Sequence, residues 1–355
     1  MSTTDNPPIL EVSEFNVDYG YGDDAVRAVT DVSFSLGQSK VLGIAGESGS
    51  GKSTLVYALT RLLRAPGIIT GGKATLRLLR QENDLPFDLL NATEAELRGI
   101  RWSQVSIVMQ SALNALNPLQ RIGKEFNEVL KLHDTSLSKA DRKARAIELL
   151  ALVDLGPDRL QRYPHELSGG QRQRVVIALA LALRPELVIM DEPTTALDVV
   201  TQREIVSKLY ELRQRLGFAM IFITHDLSLL VELADEIMVM YAGRIVERAP
   251  ATHLYQAPRH PYTLGLMDSF PPLFGERVQM SGIPGSPPML KSPPTGCAFH
   301  PRCAAAHDRC REESPPLVAI EDGQRSVACW LHDPTSTHEV PVALTRRHVA
   351  ASEAN

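Results

Sequence analysis

Alternation of apolar and polar residues predicts strands in the first third of the chain. Val32–Leu36 and Ala74–Leu78 alternate along their length, as expected for strands with one buried face. Val41–Ala45 is apolar throughout, which is typical of a strand buried on both faces. A glycine-rich turn and then helical spacing over Lys52–Leu63 follow it. The pattern therefore predicts a strand, a turn and a helix in immediate succession.

Further along the chain, helical periodicity is followed by alternating strands and helices. The predicted helices are Ser138–Val153, Gly170–Leu183 and Val199–Leu216. The predicted strands are Leu187–Met190, Ala219–Thr224 and Glu236–Tyr241. Ser138 and Asp141 occupy capping-box positions at the start of the first helix, and Gly217 is suited to end the third. Strands that alternate with helices form parallel βαβ units, so an α/β core is expected.

Composition changes after residue 250. Of the 24 prolines, 13 lie between Pro250 and Pro316, and all four cysteines lie after residue 296. We therefore predict three parts: a main domain over residues 1–260, a small Cys- and Pro-rich extension over 261–334, and a flexible tail over 335–355, where no periodicity is evident.

Overall composition argues against several classes of protein. The 355 residues carry a net charge of -5 and are 44% hydrophobic, an ordinary globular composition. The acidic balance disfavours a nucleic-acid-binding protein, which needs positive charge to neutralise phosphates. The longest apolar run, Val175–Leu183, has nine residues, whereas about 20 are needed to span a bilayer. No secretory signal is recognised, so we predict a cytosolic protein that reaches a membrane only through a partner.

A phosphate-binding loop is predicted at Gly46–Ser53. This segment fits the pattern G-x-x-x-x-G-K-[ST] and lies between the predicted buried strand and helix, which is the context that such a match requires. Its glycines allow backbone N–H groups to surround phosphates at a helix N-terminus. Lys52 can reach the β- and γ-phosphates, and the Ser53 hydroxyl can bind Mg²⁺. The alternative is a flexible Gly/Ser turn with an exposed lysine.

Two further segments carry candidate chemistry. Asp191 and Glu192 follow the apolar strand Leu187–Met190, and ligands collect at the carboxyl ends of parallel strands. Asp191 could hold Mg²⁺, and Glu192 could act as general base on an attacking water. Solvated acids at a strand end are the alternative. The segment Leu167–Arg174 places Ser168 as an N-cap before two glycines, which makes either a second anion site or an ordinary capped helix.

With these three elements in this order, residues 9 to about 250 resemble the nucleotide-binding subunits of ABC transporters. The resemblance implies an α/β fold of the ABC-type P-loop NTPase class, with a RecA-like parallel core, an antiparallel β subdomain and a helical subdomain at about 111–169. It implies catalytic roles for Glu192, His225 and Gln110. It implies magnesium binding by Ser53, Gln110 and Asp191. The implied ATP-binding residues are Tyr19, Gly46, Ser48, Gly49, Ser50, Gly51, Lys52, Ser53, Thr54, Gln110 and Asp191.

Some of these assignments leave alternatives open. Tyr19 matches the aromatic residue that stacks on adenine, but Tyr21 lies close to it in the sequence. His225 matches a switch histidine, and its alternative is a buried histidine with satisfied hydrogen bonds. Ala196–Asp198 matches the D-loop.

The resemblance also implies a head-to-tail dimer with two ATP molecules at its interface. The residues that would contact the ATP held by the opposing subunit are Ser168, Gly169, Gly170, Gln171 and Asp198. The second ABC ATPase subunit is either the same chain or a paralogue. The other implied partners are two transmembrane permease subunits and an extracytoplasmic solute-binding protein, with no nucleic acid. The implied location is the cytoplasmic face of a bacterial inner membrane, where the chain would be peripheral.

The four cysteines suggest a metal site in the extension. Their spacings, C-x5-C, C-x6-C and C-x18-C, match no ordinary zinc ribbon or ferredoxin pattern, so spacing alone indicates only a four-thiolate site. The segments around them resemble the C-terminal extension of oligopeptide/dipeptide importer ATPases. These segments are His260–Thr263, Gly282–Gly285, Gly296–Cys303, Pro315–Leu317 and Val327–Cys329. The resemblance implies a [4Fe–4S] cluster held by Cys297, Cys303, Cys310 and Cys329.

Zn²⁺ and unligated thiols remain alternatives for the cysteines. His300, His307 and His332 lie near them in the sequence and are expected to be solvated loop histidines.

The resulting hypothesis is an ATP-hydrolysing subunit that powers an ABC importer of dipeptides or oligopeptides. The same role in an importer of nickel, glutathione or oligosaccharides is the alternative. An ABC ATPase of DNA repair or chromosome organisation is disfavoured because only 57 residues separate Gln110 from Ser168, which leaves no room for a long coiled coil. A translation-factor ATPase is disfavoured because it needs two nucleotide domains in tandem.

Overall fold

The computed structural model describes residues 6–80, 86–110, 115–195, 197–269, 282–321, 323–333, 336, 340, 341 and 344. They divide into two compact units. The first contains Met1–Leu10, Ser35–Val41 and Thr75–Ile223, and the second contains Glu11–Phe34, Leu42–Ala74 and Thr224–Asn355. The predicted division at residues 260 and 334 stays a prediction, and most of the predicted tail over 335–355 lies outside the described residues.

Both units contain strands and helices. The strands are β1 (Leu10–Tyr19), β2 (Val26–Leu36), β3 (Val41–Ala45), β4 (Gly67–Leu76), β5 (Phe87–Asp88), β6 (Val105–Val108), β7 (Leu187–Asp191), β8 (Ala219–Ile223), β9 (Glu236–Tyr241), β10 (Arg244–Pro250), β11 (Val318–Ile320) and β12 (Arg325–Val327). The helices are α1 (Lys52–Leu59), α2 (Glu94–Ile100), α3 (Ile122–His133), α4 (Lys139–Leu152), α5 (Gly169–Ala180), α6 (Val199–Leu216), α7 (Leu227–Leu233), α8 (Ala251–Gln256), α9 (Pro261–Asp268) and α10 (Asp308–Glu312).

In the first unit, β6, β7 and β8 run parallel. Val105 lies opposite Leu187, which in turn lies opposite Ala219, and the register continues without a bulge. Every residue of β7 and β8 is buried, as expected for strands covered on both faces. Asp191 is the last residue of β7, so its carboxylate lies at the carboxyl end of the parallel strands.

In the second unit, β3 pairs in parallel with β9, and β9, β10, β12 and β11 continue the sheet in antiparallel fashion. The predicted extension therefore contributes strands to a sheet that begins in the predicted main domain. A buried ion pair of 2.9 Å joins Glu247 on β10 to Arg325 on β12. The same carboxylate accepts the N–H groups of Arg259 and His260 at 2.8 and 2.9 Å, so each Glu247 oxygen has a partner.

Most predicted elements are confirmed, and the exceptions have local causes. α1 ends at Leu59, before the predicted Leu63, because Arg61 takes a φ of 55°, which a continuing α-helix does not allow. β4 begins at Gly67, earlier than the predicted Ala74. Gly71 and Gly72 interrupt the alternation there, and a Cβ at Gly72 would meet backbone of β1 at 2.6 Å.

The helices predicted over Ser138–Val153 and Val199–Leu216 match α4 with its two caps and α6. The α4 capping box is present, and Gly217 ends α6 with a φ of 73°. No helix in the described part of the chain has the length and apolar character needed to cross a membrane.

Candidate functional site

The phosphate-binding loop follows β3 and depends on two glycines. Gly46 has a φ of 149°, and a Cβ there would meet the carbonyl oxygen of Met240 at 2.3 Å. Gly51 has a φ of 98° and precedes α1 as its N-cap. Since other residues rarely adopt these conformations, the glycines set the path of the loop. Ser48 and Gly49, at the outer part of the loop, are exposed.

Lys52 is the first residue of α1 and its ammonium lies inside the loop. Nζ donates to the carbonyl oxygens of Gly46 and Glu47, each at 2.8 Å, and contacts Ser50 Oγ at 3.2 Å. The residue is only 4% exposed. A buried cation that faces backbone carbonyls and a helix N-terminus is suited to bind a phosphate. Ser53 follows it in the first turn of the helix.

The structure places the two candidate tyrosines differently. Tyr19, the last residue of β1, brings its hydroxyl to 3.4 Å from Thr54 Oγ1 on α1. Tyr21 lies beyond the strand and is 76% exposed. Tyr19 is therefore the tyrosine that lies beside the helix of the phosphate-binding loop.

The acidic end of β7 brings two predicted residues into contact. Gln110 follows β6, and its Nε2 donates to Glu192 Oε2 at 2.7 Å, although 82 positions separate them. Thr195 Oγ1 lies 3.1 Å from the same carboxylate oxygen. Glu192 N–H donates to Ile223 O at 2.9 Å. Asp191, which precedes Glu192, is fully buried. Sequence reasoning missed Thr195, because one hydroxyl residue in a turn gives no signal of its own.

Two helix N-termini meet at an open cleft of about 530 Å³ in the first unit. Ser168 caps α5, with Oγ accepting the N–H of Gln171 at 3.2 Å and its own N–H donating to Gln171 Oε1 at 3.2 Å. Asp198 caps α6 in the same way, accepting the N–H of Thr201 at 3.0 Å. That hydrogen bond lowers the pKa of Asp198. The cleft is also lined by Gly169, Gly170, Leu197 and Arg174.

Gly170 is required for the close approach of these two helices. A Cβ at this position would lie 2.6 Å from Thr201 Cγ2. The predicted residues Ser168, Gly169, Gly170, Gln171 and Asp198 therefore share one concave surface. With two helix N-termini directed to it, this surface is suited to an anion.

His225 lies in the second unit, directly after Thr224 and before the short helix α7. Its side chain is exposed, so the alternative of a buried histidine is wrong. Asp226 caps α7 by accepting the N–H of Ser228 at 2.8 Å. Ala196 of the D-loop segment lies outside the described residues.

All four cysteines line one small pocket of about 10 Å³ in the second unit. Its other walls are largely apolar and include Phe299, Ala305, Trp330 and Leu331. Burial raises the pKa of Cys297 to about 11 and that of Cys329 to about 12. A thiol must lose its proton to bind a metal, and burial makes that loss less favourable for these two cysteines. Within the described residues, no group of three or more His, Cys, Asp or Glu side chains is arranged so that it could hold a metal ion.

Two of the neighbouring histidines are fixed by backbone contacts. His332 Nε2 lies 2.7 Å from Arg259 O, and His300 Nδ1 lies 3.0 Å from Cys297 O. Burial lowers the pKa of His332. The expectation of a solvated loop histidine is therefore wrong for His332, which helps to hold the extension in place.

Comparisons with known proteins show which family the sequence matches. Residues 29–195 match the family model described as ABC transporter, and residues 246–310 match the model described as oligopeptide/dipeptide transporter, C-terminal region. An oligopeptide transport ATP-binding protein, OppD, of Salmonella typhimurium is 43% identical, over 91% of this chain and 93% of the relative. A dipeptide transport ATP-binding protein, DppD, of Escherichia coli is 42% identical, over 90% and 95%.

A solved structure gives the same result at the level of fold. The ATP-binding cassette MJ0796, in a dimeric post-hydrolysis state bound to ADP and Pi, superposes with a TM-score of 0.59 at 26% identity. The match covers 68% of this chain and 98% of that one.

Proposed function

Because the chain belongs to the ABC transporter ATPases, in the group related to oligopeptide and dipeptide transport ATP-binding proteins, we propose that it hydrolyses ATP to power import of dipeptides or oligopeptides. The observation that carries this proposal is the similarity to peptide-transport relatives along nine tenths of both chains. The C-terminal match supports it further, because that family model is described by peptide transport. Import of nickel, glutathione or oligosaccharides is the alternative.

ATP is bound through the phosphate-binding loop in this proposal. The main-chain N–H groups of the loop surround the phosphates, and Lys52 exchanges its carbonyl partners for phosphate oxygens. Ser53 binds Mg²⁺, and Tyr19 stacks on adenine. The support is the buried position of Lys52 at a helix N-terminus and the contact of Tyr19 with α1.

Hydrolysis is assigned to Glu192, which follows β7, with help from Gln110 after β6 and His225 after β8. Glu192 accepts a proton from the attacking water, which makes that water a better nucleophile for the γ-phosphate. Gln110 orients the Glu192 carboxylate. Magnesium binding by Ser53, Gln110 and Asp191, and contact of His225 with the γ-phosphate, stay predictions from the family resemblance. The 2.7 Å hydrogen bond between Gln110 and Glu192 supports a common task for these two side chains.

The Ser168–Asp198 cleft is proposed to contact ATP held by a second ABC ATPase subunit. ATP contacts that exist only in the closed dimer stabilise closure, and hydrolysis removes them. The dimer would act on two transmembrane permease subunits at the cytoplasmic face of a bacterial inner membrane, with an extracytoplasmic protein that delivers the solute.

The four cysteines are proposed to hold a [4Fe–4S] cluster, with Zn²⁺ as the alternative. Four thiols that line one pocket have the number and chemistry that either group needs, although the described residues are not arranged to hold a metal ion in this structure. The pocket is small, so a bound group would displace side chains that line it. The role proposed for the cluster is structural: thiolate–metal bonds supply folding free energy to a proline-rich segment.

Uptake by membrane vesicles tests the proposed transport function. Vesicles that contain this chain with its permease subunits, and receive the solute-binding protein from outside, should accumulate labelled dipeptides or oligopeptides only with ATP inside. The matched control replaces the chain with its Glu192→Gln variant, which should abolish uptake. ATP-dependent uptake of nickel, glutathione or an oligosaccharide without uptake of peptides would reject the peptide assignment.

A further inference from the structure

Glu47, the second residue of the phosphate-binding loop, is held from three directions. Its N–H donates to Tyr262 Oη at 2.7 Å. Its carboxylate receives two hydrogen bonds from the Arg302 guanidinium, at 2.6 and 3.0 Å. Its carbonyl oxygen accepts the Lys52 ammonium at 2.8 Å and the Ser50 N–H at 3.2 Å. Every polar group of this residue thus has a partner, and two of these partners come from the C-terminal part of the chain.

Arg302 is itself held rigidly. Its side chain is 5% exposed, and besides Glu47 it contacts Pro284 O at 2.8 Å and Tyr241 Oη at 3.3 Å. The Glu47 carboxylate raises the pKa of Arg302 further above its usual value, so the guanidinium stays charged. A bidentate pair with little solvent contact is among the stronger electrostatic contacts in proteins.

The segment that carries Arg302 begins and ends at cysteines of the shared pocket. Arg302 directly precedes Cys303, and Phe299 lies between Cys297 and Arg302. The Phe299 ring packs against Tyr262 and Tyr241, each with ring centroids 5.3 Å apart. The cysteine pocket and the phosphate-binding loop are therefore joined by one short, well-packed segment.

This contact matters for nucleotide binding for two physical reasons. The main chain of Glu47 is part of the loop around the Lys52 ammonium, so a displaced Glu47 also displaces the main-chain N–H groups that surround the phosphates in the proposed site. A carboxylate in a phosphate-binding loop also repels the phosphates, and the Arg302 charge offsets that repulsion.

We propose that Arg302 and Tyr262 are positioning residues for ATP binding, through which the C-terminal extension holds Glu47 and thereby the phosphate-binding loop in its binding conformation. The inference rests on the ATP site proposed above and adds residues that lie outside its motifs.

A double-mutant cycle on the full chain tests the proposal. Binding of the nonhydrolysable analogue AMP-PNP with Mg²⁺ is measured for the wild type and for Arg302→Gln, Glu47→Gln and the double variant. Arg302→Gln should weaken binding at least tenfold, since it leaves a partly buried carboxylate unpaired beside the phosphates. In the Glu47→Gln background the same substitution should cost less than threefold.

Tyr262→Phe provides a second variant that keeps the packed ring. It removes only the hydroxyl oxygen that accepts the Glu47 N–H, and it should weaken binding at least threefold while thermal unfolding shows a folded protein. In steady-state kinetics both variants should raise KM for ATP more than they lower kcat, as expected when loop positioning rather than chemistry is affected.

Arg309→Gln is the matched control. Arg309 also lies beside a pocket cysteine and also pairs with carboxylates, those of Glu313 at 3.1 Å and Asp333 at 2.8 Å. The affinity of the Arg309→Gln variant for AMP-PNP should stay within twofold of the wild-type affinity. Unchanged affinity in both Arg302→Gln and Tyr262→Phe, or an equal loss in Arg309→Gln, would overturn the positioning role. A wild type that does not bind the analogue would instead reject the proposed ATP site.

Discussion

Glu192, which we propose as general base, has a strained backbone after β7. Its φ of 45° lies in the left-handed region, which costs a non-glycine residue on the order of 1 kcal/mol or more. Hydrogen bonds from Gln110 and Thr195 to its carboxylate, and from its N–H to Ile223 O, hold it there. A strained residue fixed by several partners is a common feature of catalytic sites, which supports the assignment of Glu192 as general base.

Glu192→Gln should reduce ATP hydrolysis at least about 100-fold, because an amide cannot accept the proton of the attacking water. ATP affinity should stay within about threefold, since the amide keeps the shape of the side chain. Phosphate release and equilibrium nucleotide binding, measured on the same preparation, check both statements. Hydrolysis at the wild-type rate would remove the general-base assignment.

Tyr19→Ala should weaken ATP binding by about 1–3 kcal/mol, the usual contribution of one base stacked on an aromatic ring. Tyr21→Ala, the matched control two positions away, should have no effect because Tyr21 is exposed. Binding of ATP and of inorganic triphosphate distinguishes the causes, since only ATP carries a base to stack. A larger effect of Tyr21→Ala would exchange the roles of the two tyrosines.

At the residue scale, the sequence predicts the motif residues but not the contacts around them. The family resemblance identifies Gln110, the end of an apolar strand already points to Glu192, and the hydrogen bond between them is a finding of the structure. A lone threonine such as Thr195 has no distinguishing spacing. Arg302 lies in the segment Gly296–Cys303 that resembles the C-terminal extension, but nothing in the sequence connects it with Glu47. Such partners are defined by tertiary packing, which a single sequence does not display.

At the element scale, the N-termini of α5 and α6 form one surface. Each helix begins at a side-chain cap, Ser168 or Asp198, and Gly170 lets the two ends approach. Capping and periodicity act locally, which is why the bounds of α4 and α6 could be predicted almost to the residue. The end of α1 and the start of β4 could not, because a left-handed backbone at Arg61 ends the helix and two glycines, Gly71 and Gly72, hide the alternation in β4.

Gly170→Ala should destabilise the first unit by roughly 1–2 kcal/mol, because the new methyl group would crowd Thr201 Cγ2. Thr201 cannot rotate away without loss of the 2.8 Å hydrogen bond from its hydroxyl to Asp198. Adding Thr201→Ser removes the crowded methyl group, keeps the hydroxyl and should restore most of the loss. Chemical denaturation of the four proteins measures this coupling, and equal stability of Gly170→Ala and wild type would contradict it.

At the scale of the whole molecule, the proline and cysteine content located the C-terminal extension but did not reveal how it is attached. β11 and β12 have three residues each, too few for a periodicity to appear. β12 pairs with β10, β11 pairs with β12, and the buried Glu247–Arg325 ion pair also attaches the extension to the sheet that contains β3. Short strands of this kind are stabilised by the sheet that receives them, so their own sequences carry little signal.

Ser168→Arg should prevent ATP-driven association of two subunits more than ATP binding by one. A bulky cation would occupy the cleft at which we propose that the partner's ATP binds. Ser168→Ala is the control, because it removes the helix cap without adding bulk. Light scattering in a Glu192→Gln background reports association, and calorimetry reports binding. An equal loss of subunit association and of ATP binding would count against contact of Ser168 with the ATP of the other subunit.

The [4Fe–4S] cluster that we propose for the four cysteines predicts that protein purified without oxygen is brown and contains iron and acid-labile sulfide. Removal of the metal should lower the unfolding temperature, because thiolate–metal bonds contribute to folding. Cys329→Ser should lose both colour and stability, whereas a serine at an unrelated exposed position should not. A colourless preparation with one equivalent of zinc would replace the cluster with the alternative.

The contact between Glu47 and Arg302 also bears on when the nucleotide site is completed during translation. The two residues are 255 positions apart, and ribosomes add about 5–20 residues per second. The residues of the phosphate-binding loop are therefore translated roughly 10–50 s before Arg302, whose guanidinium pairs with Glu47. On the positioning role proposed for Arg302, tight nucleotide binding begins only after this residue has been translated, so a nascent subunit that still lacks Arg302 would compete poorly for ATP.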